Sequence, residues 1–402
     1  MKKKEKIQVK TGGLYFRRSR ESEQKMGIQL FQPKFEVEEC LEEIRECLEK
    51  GWTGLGFKTV QFEDEWKHYC GLPFAYYLNS ATAGLNLAVE ILKEENGWEE
   101  GDEVITTPIT FVSTNHAIPR AGLKAVFADV DNTLCLDPKS VEERITDKTR
   151  AVIFVGIGGN TGHYKEIVQI CQQHGLKLIL DAAHMSGTRI NGQIPGSEAD
   201  AVVYSFQAVK NLPTSDSGML CFKNGNYDEI ARKKAWLGIN KDTYTRTVNS
   251  GNYKWKYDVE YIGEKSHGNS VTAAIAIVQL RYLDRDNAYR RQVARWYRER
   301  LSQYPDKIKL VDIPEECESS THLFQIMVDN RDELLMALNA AEIYPGVHYA
   351  DNTLYKMYAY AHGTCPYAEY VSDHVLSLPM HMHLTYNDVQ YICDEIVKFI
   401  NR

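Results

Sequence analysis

The stretch SFQAVK at residues 205–210 decides the fold of this chain when it is taken together with Asp181, which stands earlier in the chain. Asp181 ends the apolar run 176–180, and Lys210 follows a second apolar run at 201–204. Short apolar runs of this kind are typical of buried strands. Because the carboxyl ends of parallel strands share one edge of a sheet, we expect the acid and the lysine to lie close together there.

The pairing of a lysine with an acid at such an edge suggests a cofactor. Taken alone, a lysine is usually a solvated surface charge and an aspartate after a strand usually caps a turn. Taken together, they are what pyridoxal phosphate (PLP) needs. The lysine forms a Schiff base, and the carboxylate keeps the pyridine nitrogen protonated so that the ring can accept electrons. We therefore predict a PLP site built on Lys210 and Asp181.

Composition and charge limit the class of protein. The 402 residues are 43% hydrophobic and 25% charged, as in ordinary soluble enzymes. A net charge of -8 argues against nucleic acid as a partner. No apolar run reaches the roughly 18 residues of a membrane helix, and none follows the basic start as in a signal peptide. Nine scattered cysteines without a Cys-x-x-Cys pair indicate reduced thiols. We expect a cytoplasmic protein that does not contact a membrane.

The pattern along the chain predicts a parallel-sheet α/β fold. Apolar runs predict strands near 75–78, 103–106, 124–128, 151–155, 176–180, 201–204 and 218–222, and periodic segments predict helices near 82–95, 111–121, 137–144 and 165–173. After Thr272 a long basic helical region follows, and then short strands mixed with helices. We expect a loose N-terminal arm over residues 1–27, a large α/β domain over 28–280 and a smaller C-terminal α+β domain over 281–402.

A glycine-rich turn offers a competing interpretation. The segment GIGGNTG at 156–162 follows a predicted strand, and a helix and a strand ending in Asp181 come next, as in a dinucleotide-binding unit. The spacing does not fit, because the third glycine of the fingerprint would stand at 161, which is Thr161. A tight strand-to-helix turn near the active-site edge explains the segment better than NAD binding does.

A phosphate site is predicted at the start of a helix. The segment NSATAGL at 79–85 follows a predicted strand, and its small residues leave backbone N–H groups free at the positive end of the helix dipole. Simple capping by Ser80 or Thr82 would explain the same residues. With a lysine and an acid available for PLP, the cofactor phosphate is the better interpretation of Ser80, Ala81, Thr82 and Ala83.

Several segments in order resemble one family, the DegT/DnrJ/EryC1/StrS sugar aminotransferases. They are NSATAGL at 79–85, GDEVI at 101–105 with PITF at 108–111, DAAH at 181–184, SF at 205–206 with KNL at 210–212, AAI at 273–275, CPYAE at 365–369 and LSLP at 376–379. The resemblance runs from about residue 28 to the end. It implies a fold type I PLP enzyme with a mostly parallel seven-stranded sheet and a homodimer whose active sites lie at the subunit interface.

The resemblance also implies roles for single residues. Lys210 would carry the Schiff base, Asp181 would pair with the ring nitrogen, Phe111 would stack on the ring, Thr82, Ala83 and Ser205 would hold the phosphate, and His184 would lie near the phenolic oxygen. Thr53 and Gly54 would border the substrate, and His348 and Tyr349 would contact it. For Phe111 and His184 ordinary core packing is the alternative, and for Thr53 and Gly54 a helix stop.

Lys265 departs from the family pattern. It stands where members often carry an asparagine that reaches the partner subunit's phosphate. A lysine can bind phosphate as a point charge, so we expect it to complete the partner's site. A solvated loop charge is the alternative. The segment 241–259 resembles members that aminate C4 more than members that aminate C3.

The function implied by the resemblance is amino transfer. Glutamate would donate the amino group, pyridoxamine phosphate would be the intermediate form of the cofactor, and a nucleotide-linked keto-deoxysugar would accept it. Two alternatives remain open: a PLP-dependent nucleotide-sugar dehydratase, and a PLP-binding sensor without turnover. Related dehydratases replace the Schiff-base lysine with histidine, whereas this chain has Lys210. No metal is expected, since His381 and His383 lack further ligands at a suitable spacing.

Overall fold

A seven-stranded sheet forms the centre of the computed structural model, which describes residues 27–240 and 257–402. Its strands are β1 (Phe74–Leu78), β2 (Glu103–Thr106), β3 (Lys124–Phe127), β4 (Thr149–Val155), β5 (Lys177–Asp181), β7 (Ala201–Ser205) and β8 (Gly218–Phe222), and the short β6 (Arg189–Ile190) lies outside the sheet. The strand order is β1-β8-β7-β5-β4-β2-β3. Only β8 runs antiparallel to its neighbours. This confirms the predicted mostly parallel α/β sheet.

Helices cover this sheet and bury its strands. The helices that precede residue 240 are α1 (Val37–Glu49), α2 (Phe57–Cys70), α3 (Ala81–Glu95), α4 (Val112–Arg120), α5 (Pro138–Glu143), α6 (Tyr164–His174) and α7 (Gly225–Lys234). Every residue of β7 and β8 is buried, which explains their nearly continuous apolar sequences. The carboxyl ends of the parallel strands meet at one edge, where the site described below lies.

A second hydrophobic cluster lies in the C-terminal part of the chain. It includes β9 (Ile308–Leu310), β11 (Phe324–Val328) and β12 (Val375–Leu378), which form an antiparallel sheet, and the helices α9 (Arg331–Ala340) and α11 (Tyr386–Ile400). The remaining strand and α-helices are β10 (Cys317–Glu318), α8 (Ser270–Leu301) and α10 (Pro366–His374), and two short 3₁₀ helices span Asn352–Leu354 and Lys356–Ala361. The helix α8 contributes to both clusters. The proposed boundary at 280/281 falls inside this helix, and the domain division stays a prediction.

The structure also contains elements that the sequence pattern did not reveal. The helix α2 was missed because Phe, Thr, Val, Tyr and Cys, all weak helix formers, occupy much of it. The strand β12 follows α10 without a turn residue between them, so no local signal separates the two. Except for Gly27, the predicted arm lies outside the described residues, as does most of the segment 241–259.

Candidate active site

A cavity lies at the carboxyl edge of the sheet. Its volume is about 440 Å³, within the roughly 300–1,000 Å³ of small-molecule sites. Residues at or just after the ends of β1, β2, β4, β5 and β7 line the cavity. Two residues that precede β8 and four residues from more distant segments complete the lining. The full set is Ser80, Ala81, Thr82, Leu85, Thr110, Phe111, Ser113, Thr114, Val155, Asp181, Ala183, His184, Ser205, Gln207, Val209, Lys210, Asp216, Ser217, Phe31, His322, His348 and Tyr349. The predicted meeting of strand ends is therefore observed.

Asp181 places a buried carboxylate in this cavity. It is the last residue of β5 and is only 3% exposed. Its Oδ2 accepts a hydrogen bond of 2.7 Å from Thr114 Oγ1, and its Oδ1 accepts one of 3.1 Å from the backbone N–H of Ala183. Burial raises the pKa of Asp181, while these two hydrogen bonds and the charge of Lys210 act in the opposite direction. A carboxylate held in this way suits a protonated ring nitrogen.

Lys210 is positioned by the loop that joins β7 to β8. The antiparallel ladder continues into this loop, where Phe206 N donates to Ser217 O at 2.9 Å and Ala208 N donates to Ser215 O at 2.9 Å. Lys210 N closes a turn onto Gln207 O at 2.8 Å. Burial lowers the pKa of Lys210 to about 8, although Asp181 acts in the opposite direction. The amine is therefore more available as a nucleophile than that of a surface lysine.

The start of α3 also lines the cavity. Ser80 caps this helix, and its Oγ accepts the N–H of Ala83 at 3.2 Å. The capping interpretation is thus observed, while Ala81 and Thr82 also line the cavity and their backbone N–H groups make no hydrogen bond to another described residue. A Cβ on Gly218 would lie 2.6 Å from Ala81 N. Only glycine lets β8 approach the start of α3 this closely.

Phe111 is exposed rather than packed in the core. Its side chain is 57% exposed, and its ring centroid lies 6.2 Å from that of Tyr349. The core-packing alternative is therefore excluded. A large apolar ring that lines a cavity suits a flat ligand. Together, the buried carboxylate, the lysine with a lowered pKa, the helix start and this ring fit PLP.

His184 is held in one neutral form. Its Nδ1 accepts the backbone N–H of Gly158 at 3.1 Å, so Nε2 carries the hydrogen, and Nε2 lies 3.3 Å from the hydroxyl oxygen of Tyr349. Burial is the main reason that the pKa of His184 is lowered, and the charge of Lys210 adds to it. Burial also lowers the pKa of His348 to about 4. Both imidazoles are therefore neutral near pH 7.

Other predicted residues lie outside the cavity. The carbonyl oxygens of Thr53 and Gly54 accept hydrogen bonds from Ser270 N, at 3.1 and 2.8 Å, at the start of α8. Lys265 is exposed, and its Nζ lies 5.4 Å from the ring centroid of Trp236. The predicted substrate and phosphate roles of these three residues stay predictions.

The glycine-rich turn serves the site rather than a dinucleotide. After β4 the residues Ile157–Gly159 form a short 3₁₀ turn. The N–H of Gly158 donates a hydrogen bond to His184 Nδ1, and a Cβ on Gly156 would lie 2.0 Å from Met185 Sδ. This loop is a tight turn beside the cavity, as predicted.

Sequence reasoning missed several residues of the site. Thr114 hydrogen-bonds Asp181, and its position one turn after the predicted ring-stacking residue Phe111 could have indicated it. His322 lines the cavity although it is distant in sequence, and nothing in its neighbourhood indicated a role. Among the residues that the structure describes, no group of three His, Cys, Asp or Glu could hold a metal ion, and no helix is long and apolar enough to cross a membrane.

Solved structures of similar fold are aminotransferases. The aminotransferase TlmJ from Streptoalloteichus hindustanus matches with a TM-score of 0.85 at 32% identity, over 93% of this chain and 99% of that chain. A putative sugar aminotransferase from Streptococcus pneumoniae in its PMP form matches with a TM-score of 0.85 at 26% identity, over 92% and 98%. The fold and the site together define a PLP-dependent aminotransferase of fold type I.

Sequence comparison identifies the family. The model of the DegT/DnrJ/EryC1/StrS aminotransferase family matches residues 34–397, and the chain belongs to this family. It is 33% identical to the spore coat polysaccharide biosynthesis protein SpsC of Bacillus subtilis, over 89% of this chain and 93% of that protein. It is also 33% identical to a dTDP-4-dehydro-2,3,6-trideoxy-D-glucose 4-aminotransferase of Saccharopolyspora spinosa, over 93% and 97%.

Proposed function

We propose that this enzyme transfers an amino group from glutamate to the keto group of a nucleotide-linked deoxysugar. The observation that carries the proposal is the placement of Lys210 and Asp181 in one cavity with a helix start suited to phosphate. The similarity to a sugar 4-aminotransferase supports the substrate class. The similarity to a spore coat polysaccharide protein supports a role in making an amino sugar for a polysaccharide.

The residues of this chain would divide the work as follows. Bound PLP supplies an electron sink that stabilises negative charge at the carbon bonded to the amino group. Asp181 would keep a proton on the ring nitrogen, because its buried carboxylate can accept that hydrogen. Lys210 would bind the cofactor covalently at rest. Its free amine would accept the proton from the α-carbon of the amino donor in one half of the reaction, and in the other half its ammonium form would deliver a proton to the sugar carbon that gains the amine. Its lowered pKa makes a useful fraction neutral near pH 8.

The other cavity residues would bind and orient. Ser80, Ala81, Thr82 and Ser205, which line the cavity, would hold the cofactor phosphate at the start of α3. Ala83 does not line the cavity and donates its N–H to Ser80 Oγ, so its predicted part in phosphate binding would be to fix Ser80. Phe111 would cover one face of the ring, and His184 with Tyr349 would form a hydrogen-bonded pair beside it. His348 and Tyr349 would contact the sugar, since both line the cavity. Thr53 and Gly54 would reach a substrate only in a neighbouring subunit's site.

We further propose a cytoplasmic homodimer with shared active sites. All nine cysteines are free, which supports a reducing compartment. Among the cavity-lining residues that the structure describes, Lys210 is the one cation apart from histidine. A cofactor phosphate and a nucleotide diphosphate need more positive charge than this, and Lys265 of a second copy could supply part of it.

An activity panel tests the proposed function. Purified enzyme with PLP and glutamate would be offered keto-deoxysugars linked to dTDP, UDP or GDP, with products read by mass spectrometry. We expect 2-oxoglutarate to form beyond one equivalent per active site only when an accepted sugar is present, together with a matching amount of amino sugar. Lys210→Ala is the control and should give neither product. Loss of a sugar hydroxyl without gain of an amine would favour the dehydratase, and no product from any sugar would favour the sensor.

A further inference from the structure

His322 is a buried histidine in the cavity that the mechanism above does not use. It is 2% exposed, and its ring stacks on Phe31 with centroids 5.3 Å apart and planes within 8°. Its ring centroid lies 4.3 Å from that of His184. A side chain packed this closely has a fixed ring plane, so its two nitrogens point in defined directions.

A chain of amides determines which nitrogen of His322 carries the hydrogen. Asn287 Nδ2 donates to Ser186 O at 2.8 Å, so Asn287 Oδ1 is an acceptor. Asn211 Nδ2 donates to that Oδ1 at 2.7 Å and to Ser320 O at 2.7 Å. The remaining atom, Asn211 Oδ1, lies 3.0 Å from His322 Nδ1 and can only accept. His322 therefore carries its hydrogen on Nδ1, and Nε2 has a free lone pair.

The cavity holds an unmatched acceptor and an unmatched donor. None of the described residues hydrogen-bonds His322 Nε2, and none hydrogen-bonds the Nζ of Lys210. The two residues are within electrostatic range, since the charge of Lys210 helps to lower the pKa of His322. The other titratable groups whose charges lower the pKa of His322 are His184, Arg290 and His348, and none of them is a carboxylate. Asn211, which orients His322, directly follows Lys210 in the chain.

We propose that His322 Nε2 accepts a hydrogen bond from the Lys210 amine once the bound cofactor has released that amine, which makes His322 a positioning residue for Lys210. The inference rests on the aminotransfer proposed above. An amine on a flexible four-carbon stem has many rotamers. One fixed acceptor restricts them, so that the amine stays near the carbon whose proton it moves. Lys210 must be positioned in this way in both halves of the reaction, because its amine moves a proton in each of them.

Two substitutions separate this role from a structural one. His322→Phe keeps a flat ring but removes the acceptor, whereas His322→Gln keeps an acceptor oxygen. His381→Phe is a matched control, because His381 is also buried, at 4% exposure, and lies outside the cavity. Thermal denaturation shows whether each variant is folded.

The first measurement follows the two half-reactions by stopped-flow absorbance. The PLP form is mixed with glutamate, and the PMP form is mixed with 2-oxoglutarate or with the keto-sugar that the panel identifies. In His322→Phe we expect every half-reaction to slow by a similar factor, about tenfold, the loss of one hydrogen bond. His322→Gln should recover most of the lost rate, and the half-reaction rates of His381→Phe should match those of the wild type. Slowing confined to the keto-sugar half-reaction would overturn the proposal, because His322 would then serve the sugar.

The second measurement needs no activity. Protein reconstituted with pyridoxamine phosphate, in which the Lys210 amine is not bound to the cofactor, is labelled with acetic anhydride across pH 6–11, and Lys210 acetylation is read by mass spectrometry. An acceptor stabilises the ammonium form, so removing it in His322→Phe should lower the midpoint by about one pH unit, and His322→Gln should lie near wild type. Equal midpoints in wild type and both variants would overturn the proposal. If wild type uses no keto-sugar, the proposed function fails, while this measurement and the glutamate half-reaction still test His322.

Discussion

At the scale of single residues, the site depends on how a few polar groups are buried. Asp181 would be costly as an isolated buried charge, and the hydroxyl of Thr114 and the N–H of Ala183 reduce that cost. His184 and His322 are both neutral but are held in opposite forms, one with the hydrogen on Nε2 and the other with it on Nδ1. The cavity thus offers hydrogen-bond donors and acceptors without adding positive charge beside Lys210.

A pair of variants tests the environment of Asp181. Asp181→Asn should lower turnover by roughly a hundredfold, because an amide cannot hold the proton on the ring nitrogen. Thr114→Val keeps the shape of the side chain but removes the 2.7 Å hydrogen bond to Asp181 Oδ2. The loss of this bond raises the pKa of Asp181 further and should lower turnover by about tenfold. Steady-state rates at saturating PLP measure both. Equal losses in the two variants would contradict the assignment of the main role to Asp181.

At the scale of elements, the site depends on the close approach of β8 to the start of α3. The antiparallel β7–β8 pair carries Ser205 and Gly218 opposite each other, and Gly218 also faces Leu78 at the end of β1. A Cβ on Gly218 would meet Ala81 N at 2.6 Å and Tyr204 O at 2.9 Å. These neighbours are backbone atoms and cannot rotate away. The β7–β8 loop, which carries Lys210, is fixed to the start of α3 through this contact.

Gly218→Ala should therefore disturb phosphate binding. We expect PLP affinity to fall by at least about tenfold and stability to fall by about 1–3 kcal/mol, because the added methyl group pushes β8 away from α3. Titration of cofactor-free protein with PLP measures the affinity. Gly97→Ala is the control, since its Cβ meets nothing within 4 Å and only its φ of +64° is strained. Gly97→Ala should lower the free energy of unfolding by about 1 kcal/mol and leave PLP affinity unchanged. Wild-type affinity in Gly218→Ala would contradict the role of the close approach.

At the scale of the whole molecule, the cavity is short of positive charge. Lys265, Thr53 and Gly54 all lie away from the cavity of their own chain. Lys265 forms an isolated antiparallel β-bridge with Trp236, and its side chain is exposed. A second copy that presents Lys265 to the first copy's phosphate site would give these residues a function. The assembly would then contain two sites, each built from both chains.

Mixed dimers test this sharing directly. Lys265→Ala should weaken PLP retention, and Lys210→Ala should abolish turnover. The Lys265→Ala and Lys210→Ala variants are unfolded and refolded together in equal amounts at limiting PLP, so that half of the dimers are mixed. In each mixed dimer, one of the two sites has both Lys210 and Lys265 intact. We expect recovery to about a quarter of wild-type activity. No recovery would mean that Lys265 acts within its own chain or not at all, and a fully active monomer in light scattering would refute the shared site.

The sequence by itself determined the class of fold and the residues that we propose as the chemical centre. Buried parallel strands such as β5 and β7 have apolar sequences that differ from those of exposed segments, so the sheet could be predicted from local patterns. Asp181 and Lys210 follow two of these strands, and the geometry of a parallel sheet brings strand ends to one edge. Phe111 and the start of α3 were predicted from the family resemblance and from helix-start chemistry, and both lie in the cavity.

Only the tertiary structure decided how these groups are tuned. The lowered pKa of Lys210 depends on burial by segments far apart in the chain, which no local pattern records. The hydrogen position on His322 depends on Asn211 and Asn287, whose side chains meet only after folding. Residue types and strand ends are local properties of a sequence. Burial and hydrogen-bond partners are properties of contacts between distant segments, and folding alone creates them.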